Sequence, residues 1–125
     1  MAPRMARKLA PLALAAALAV ALAGCEPTHA VGVHRTLYVG LTEYRLRPQQ
    51  VSAGAGELTI FVHNYGRLTH DLSIYRAAKL VRATPPLWPG HSAKLVVRLA
   101  PGTFAMTSSL FSDQALGMYG TLTVH

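Results

Sequence analysis

The chain has a single cysteine, Cys25, in 125 residues. A disulfide framework needs thiols in pairs, and a CxxC redox or zinc site needs two at close spacing, so both are excluded. Acidic residues are scarce as well, five against twelve basic ones. The nine basic residues beyond the first 34 are scattered (Arg35, Arg45, Arg47, Arg67, Arg76, Lys79, Arg82, Lys94, Arg98). Without a basic patch or stripe, nucleic-acid binding is not indicated, and a mild attraction to anionic lipid headgroups is the more natural consequence. The one long apolar run, Leu9 to Ala23, is about 15 residues and too short for a comfortable membrane span. There is no internal repeat, no nucleophile elbow, and no segment with a helical apolar period longer than a turn or two.

What is present at the front is an address. Arg4, Arg7 and Lys8 form a positive n-region ahead of the alanine-rich run, which ends in Leu22-Ala23-Gly24-Cys25. This ending resembles the lipobox of bacterial lipoproteins, in which a small-residue cleavage site precedes a cysteine that becomes acylated. The resemblance implies a signal peptide over 1–24, lipidation at Cys25, and a protein held by its lipid at the extracytoplasmic face of the cell membrane. No paired arginine stands in the n-region, which points to ordinary export. From Cys25 onward 101 residues remain, with nine basic and five acidic, a net charge of +4. Residues 25–34 read as the acylated cysteine and a short tether. The nine residues EPTHAVGVH reach about 30 Å at most when fully extended. Residues 35–125 form one small domain, expected to be a monomer.

Within that domain the apolar residues alternate. Leu37, Val39 and Leu41 do so, then Leu58, Ile60 and Val62, then Leu95, Val97 and Leu99, with Pro, Gly and Asn clusters between them. Leu72 with Ile74, Phe104 with Met106 and Ser108, and Leu122 with Val124 continue the pattern. Period-2 segments at this spacing predict an all-β antiparallel sandwich or barrel. Short helices over Arg76–Arg82 or Ser112–Leu116 are compatible with the pattern. Met106 reads as core, and Trp88, between prolines, as a plug over one end of the core. His29, His34, His63, His91 and His125 are scattered and form no ligand cluster.

Two stretches resemble the cupredoxin family. One is Asn64-Tyr65-Gly66-Arg67-Leu68-Thr69-His70-Asp71-Leu72. The other begins at Leu99-Ala100-Pro101-Gly102-Thr103-Phe104 and runs on to Leu116-Gly117-Met118-Tyr119-Gly120-Thr121-Leu122-Thr123-Val124. Together they cover roughly residues 36–124, and Gly-Met-x-Gly-Thr-Leu is their most specific part. The resemblance implies a cupredoxin-like Greek-key β-sandwich. It places His70 at the first copper imidazole and Met118 at the axial thioether. Ser108 falls at the position of the copper thiolate and Asp113 at that of the second imidazole.

A blue-copper centre needs a thiolate, two imidazoles and a weak axial thioether. A serine hydroxyl keeps its proton at neutral pH and offers none of the soft covalency of sulfur. A register error of one residue would not help, because residue 109 is also serine. The expectation is therefore a non-enzymatic binding or interaction module with no cofactor, anchored to the membrane by its lipid and facing a protein partner of the cell envelope. The alternative is a copper-handling protein using a residual His70, Asp113 and Met118 set. A Ser108, His70 and Asp113 or Asp71 triad can also be written, but such a triad is defined by geometry and not by composition.

Overall fold

The computed structural model describes residues 26–125; the expected leader over 1–24 and the lipidation site Cys25 lie outside the described residues. Where apolar and polar residues alternate, the chain is extended. The strands in chain order are β1 (His29–Ala30), β2 (Thr36–Thr42), β3 (Arg45–Arg47), β4 (Gln50–Ala53) and β5 (Gly56–Asn64). They continue with β6 (Ser73–Arg76), β7 (Lys79–Ala83), β8 (Ser92–Leu99), β9 (Gly102–Thr107) and β10 (Tyr119–Val124). One short helix, α1 (Asp113–Leu116), interrupts the connection between β9 and β10.

The strands form two sheets, one ordered β1-β4-β10-β9-β6-β7 and the other β3-β2-β5-β8. In each sheet a parallel pair adjoins antiparallel ones: β4 with β10 in the first, β2 with β5 in the second. The alternating apolar residues Leu37, Val39 and Leu41, Leu58, Ile60 and Val62, and Leu95, Val97 and Leu99 turn inward. Leu37, Leu41, Leu58, Ile60, Ile74, Met106 and Leu122 are fully buried, and Phe104 nearly so. A slip of one residue in any of these strands would carry its whole apolar set to solvent, so burial fixes register. Each buried Leu, Ile or Phe contributes about 1.5–3 kcal/mol relative to exposure.

The structure differs from the sequence reading at three places. Arg76–Arg82 is not helical. It forms the β6–β7 hairpin, turning at Ala77 and Ala78, which both have positive φ, 46° and 62°. Helix formers in the turn are overridden by pairing of the flanking residues. Trp88 is no plug: it is 67% exposed, and its neighbour Leu87, at 4%, fills the gap by pairing with His70. Finally, the segment before residue 35 is partly fixed. His29 and Ala30 pair in parallel with Val51 and Ser52, and the Val31 N–H donates to the Ser52 carbonyl. Backbone pairing needs no apolar period, which is why composition alone gives no sign of it.

Among the described residues no helix is long and apolar enough to cross a membrane.

Candidate functional site

Two loops and a turn meet at one end of the sandwich. The turn between β2 and β3 supplies Glu43, the connection after β5 supplies His70 and Asp71, and the stretch after β9 supplies Ser108, Ser109 and Asp113. Asn64, fully buried at the end of β5, ties the loops together. Its amide donates to the carbonyls of Leu68 and Leu87 at 2.8 Å each, and its side-chain oxygen accepts from the Gly66 N–H at 2.8 Å. His70 is then pinned by reciprocal backbone hydrogen bonds with Leu87.

The His70 ring is fully buried and has a carboxylate at each nitrogen. Nδ1 lies 2.7 Å from Asp113 Oδ2 and Nε2 lies 2.9 Å from Glu43 Oε1. Asp113 Oδ2 also accepts from the Ser108 hydroxyl at 2.6 Å, and that hydroxyl in turn accepts from the Asp71 N–H at 3.2 Å. Asp71 extends the network, taking the Ser109 N–H at 2.6 Å on Oδ1 and the Ser109 hydroxyl on Oδ2. The result is a continuous polar chain, Glu43 to His70 to Asp113 to Ser108, buried except at its Glu43 end. A buried network of this kind is stabilising only when its members are satisfied.

Glu43 holds the outer end. Partial burial alone would raise its pKa, but hydrogen bonds from the Leu68 N–H, the His70 ring and the Arg67 N–H outweigh that and lower it from 4.5 to about 2. The carboxylate packs so closely over Gly66 that a Cβ there would lie within 3.0 Å of three of its atoms. Sequence reasoning missed Glu43. The only available signal was scarcity: the chain has five acidic residues, and three of them, Glu43, Asp71 and Asp113, converge on this end.

The residues singled out from the sequence are largely brought together. His70, Asp113 and Ser108 are in direct contact. Met118 joins through its backbone, its N–H donating to the Asp113 carbonyl at 2.9 Å and its carbonyl accepting from the Ser108 N–H at 3.2 Å. The Met118 side chain belongs to the apolar core cluster.

The contacts decide what chemistry the arrangement can support. In a hydrolytic triad the serine hydroxyl is hydrogen-bonded to the imidazole. Here it donates to the carboxylate, and Ser108 is fully buried. Copper is the metal this architecture brings to mind, and the donor set does not fit a blue centre. Both ring nitrogens of His70 already face carboxylate oxygens, so neither is turned toward an open coordination position. The oxygen of Ser108 is a hard, neutral donor already engaged at both ends. Among the described residues no group of three or more His, Cys, Asp or Glu side chains is arranged to hold a metal ion.

Around this cluster the surface is apolar. Tyr44, Leu68, Phe111 and Leu116 line a cavity of about 420 Å³ at whose wall Asp113 also lies. Phe111 is 96% exposed, and Leu68 and Leu116 are about half exposed.

The sandwich is a cupredoxin-like domain. Reduced auracyanin from the photosynthetic bacterium Roseiflexus castenholzii superposes with a TM-score of 0.67 at 19% identity, over 75% of this chain and 99% of that one. Auracyanin A, a "blue" copper protein from Chloroflexus aurantiacus, gives 0.64 at 14% identity over 77% and 99%. The azurin Az-iso2 from Methylomonas sp. strain J gives 0.64 at 11% identity over 72% and 97%. Identities this low establish the fold and do not transfer the site. No protein-family model matches the sequence, and no curated protein sequence matches it significantly.

Proposed function

We propose that this chain is a non-enzymatic interaction module: a cupredoxin-like domain, lipid-anchored at Cys25 on the extracytoplasmic face of the membrane, whose loop end docks a protein partner of the envelope. The observation that carries the reading is the Glu43–His70–Asp113–Ser108 chain, which occupies the end of the sandwich with the protein's own hydrogen bonds. A loop end cross-linked by hydrogen bonds and surrounded by exposed Phe111, Leu68 and Leu116 is suited to contact and not to redox turnover.

Copper titration of the full-length Cys25→Ser protein tests this, because no thiol remains to create an artefactual site. The expected result is Cu(II) and Cu(I) binding no tighter than that of a surface histidine, with no visible charge-transfer band. Stoichiometric tight binding that disappears in His70→Ala would replace the module with a copper-handling protein built on His70, Asp113 and Met118. For the anchor, the same Cys25→Ser change is expected to release the protein from membranes or to block its maturation. An unaltered membrane fraction would mean that the apolar segment is an uncleaved anchor.

A further inference from the structure

The outer face of the four-stranded sheet takes no part in the polar cluster, yet it carries an organised set of aromatic side chains. Strand alternation turns Tyr38 and Gly40 of β2, Phe61 and His63 of β5, and Ser92 and Lys94 of β8 outward. Register then aligns them in two adjacent rows. In the first, Tyr38 pairs with Phe61 and Phe61 with Lys94; in the second, Gly40 pairs with His63 and His63 with Ser92.

The first row is a stacked wall. The Tyr38 and Phe61 rings lie 5.4 Å apart at 17°, with the Lys94 ammonium 6.0 Å from the Phe61 centroid. The second row is a platform. Tyr65 lies across Gly40, where a Cβ would come within 3.2 Å of its ring, and the His63 ring meets Tyr65 edge-on at 4.2 Å. Glycine inside a strand weakens it and often marks a close approach, here that of an aromatic ring. His63 is fixed in turn by a 2.5 Å hydrogen bond between Nδ1 and the Ser92 hydroxyl. Between the rows runs a groove of about 280 Å³, and Tyr38 and Tyr65 are each 71% exposed beside it.

The groove limits its occupant. It lies at the small end of ligand sites, which run from about 300 to 1,000 Å³, a size that suits a single ring. Its lining contains no carboxylate and Lys94 stands at its rim, which disfavours a cationic guest despite the aromatic walls. The aromatic rings offer apolar area, while His63, the two tyrosine hydroxyls and the nearby Lys94 are hydrogen-bonding groups. A wholly apolar guest would leave those polar groups unmatched. An amphipathic ring, with C–H groups on its faces and hydroxyls around its rim, answers both. We infer that this groove binds a pyranose ring of a glycan, stacked between Tyr65 and the Tyr38–Phe61 wall, with Lys94 favouring a sugar that carries a carboxylate.

The test is an amide-shift titration by NMR of the full-length protein in a non-glycosidic detergent, with a tetramer of N-acetylglucosamine and a trimer of galacturonic acid as probes. Saturable shifts confined to residues 38–40, 61–65 and 92–94 are expected. Tyr65→Ala and Phe61→Ala should each weaken binding about tenfold, since an aromatic contact is worth up to about 1.5 kcal/mol and 1.4 kcal/mol is a factor of ten. Lys94→Ala should weaken only the acidic trimer. All three sites are on the surface, and the localised shifts in the unmutated protein test the groove without any variant. Absence of shifts with both sugars, or shifts elsewhere, overturns the inference. So does binding to phosphatidylglycerol vesicles that Tyr38→Ala and Phe61→Ala abolish while neither sugar binds, which would assign the face to lipid.

Discussion

Replacing Asp113 with alanine removes the acceptor that two buried donors share. His70 Nδ1 at 2.7 Å and the Ser108 hydroxyl at 2.6 Å both point at Asp113 Oδ2, and all three residues are at most 4% exposed. Each buried donor left without its acceptor costs about 1–3 kcal/mol, against a total stability of about 5–15 kcal/mol for a domain of ordinary size. Asp113→Ala is therefore expected to lose a large fraction of the stability. Asp113→Asn keeps the shape and one acceptor, and should lose about 1–3 kcal/mol. Urea denaturation followed by far-UV circular dichroism reads both, as a lowered midpoint at unchanged slope. Adding His70→Ala closes a double-mutant cycle, in which contacting residues of one network couple by about 0.5–3 kcal/mol. A loss below about 1 kcal/mol for Asp113→Ala, with no coupling to His70, would refute the view that this network holds the loop end together.

Three further outcomes follow from particular contacts. Ser108→Cys combined with Asp113→His removes the acceptor at His70 Nδ1 and supplies a thiolate and a second imidazole; the variant should fold and give an intense visible band with Cu(II), and a folded variant that stays colourless would show that these positions do not converge on a metal. Glu43 has a pKa lowered from 4.5 to about 2, so its contribution is complete above about 4.5 and fades as the pH falls toward 2; Glu43→Gln should flatten that part of the stability-against-pH curve, and an unchanged slope would refute the assignment. Ala77 and Ala78 occupy left-handed conformations at a cost of about 1–2 kcal/mol each, so Ala77→Asn with Ala78→Gly should raise the thermal midpoint, and a fall would mean the hairpin turn is not as described.

Much of this architecture was legible because its signal is periodic. Leu37, Val39 and Leu41, or Leu95, Val97 and Leu99, state a strand and its inward face in one reading, and burial bears out both. The β6–β7 hairpin was less legible, since Arg76–Arg82 contains good helix formers and the turn depends on two alanines in a conformation that alanine disfavours. The cluster was half legible. His70, Ser108 and Asp113 were picked out by resemblance, but not the hydrogen bonds of the network, which join residues 43 apart in the chain for His70 and Asp113, 27 for His70 and Glu43, and 37 for Ser108 and Asp71. Glu43 carries no local pattern: a lone carboxylate after Thr42 looks like any solvated turn residue until Arg67, Leu68 and His70 are placed around it.

The pairing of β1 with β4 has a mechanical consequence for a lipid-anchored protein. Only Glu26, Pro27 and Thr28 stand between Cys25 and the first paired residue, His29. Four steps of extended chain span about 14 Å, half the reach that a free nine-residue tether would give. Glu26 lies 3.8 Å from Arg45, and Arg47 sits beside the same segment. With the lipid in place as proposed, the domain would stand on a short leg, with these two arginines beside it. Its orientation above the bilayer would then be set by the fold itself, and a partner would meet the module at a fixed height and angle.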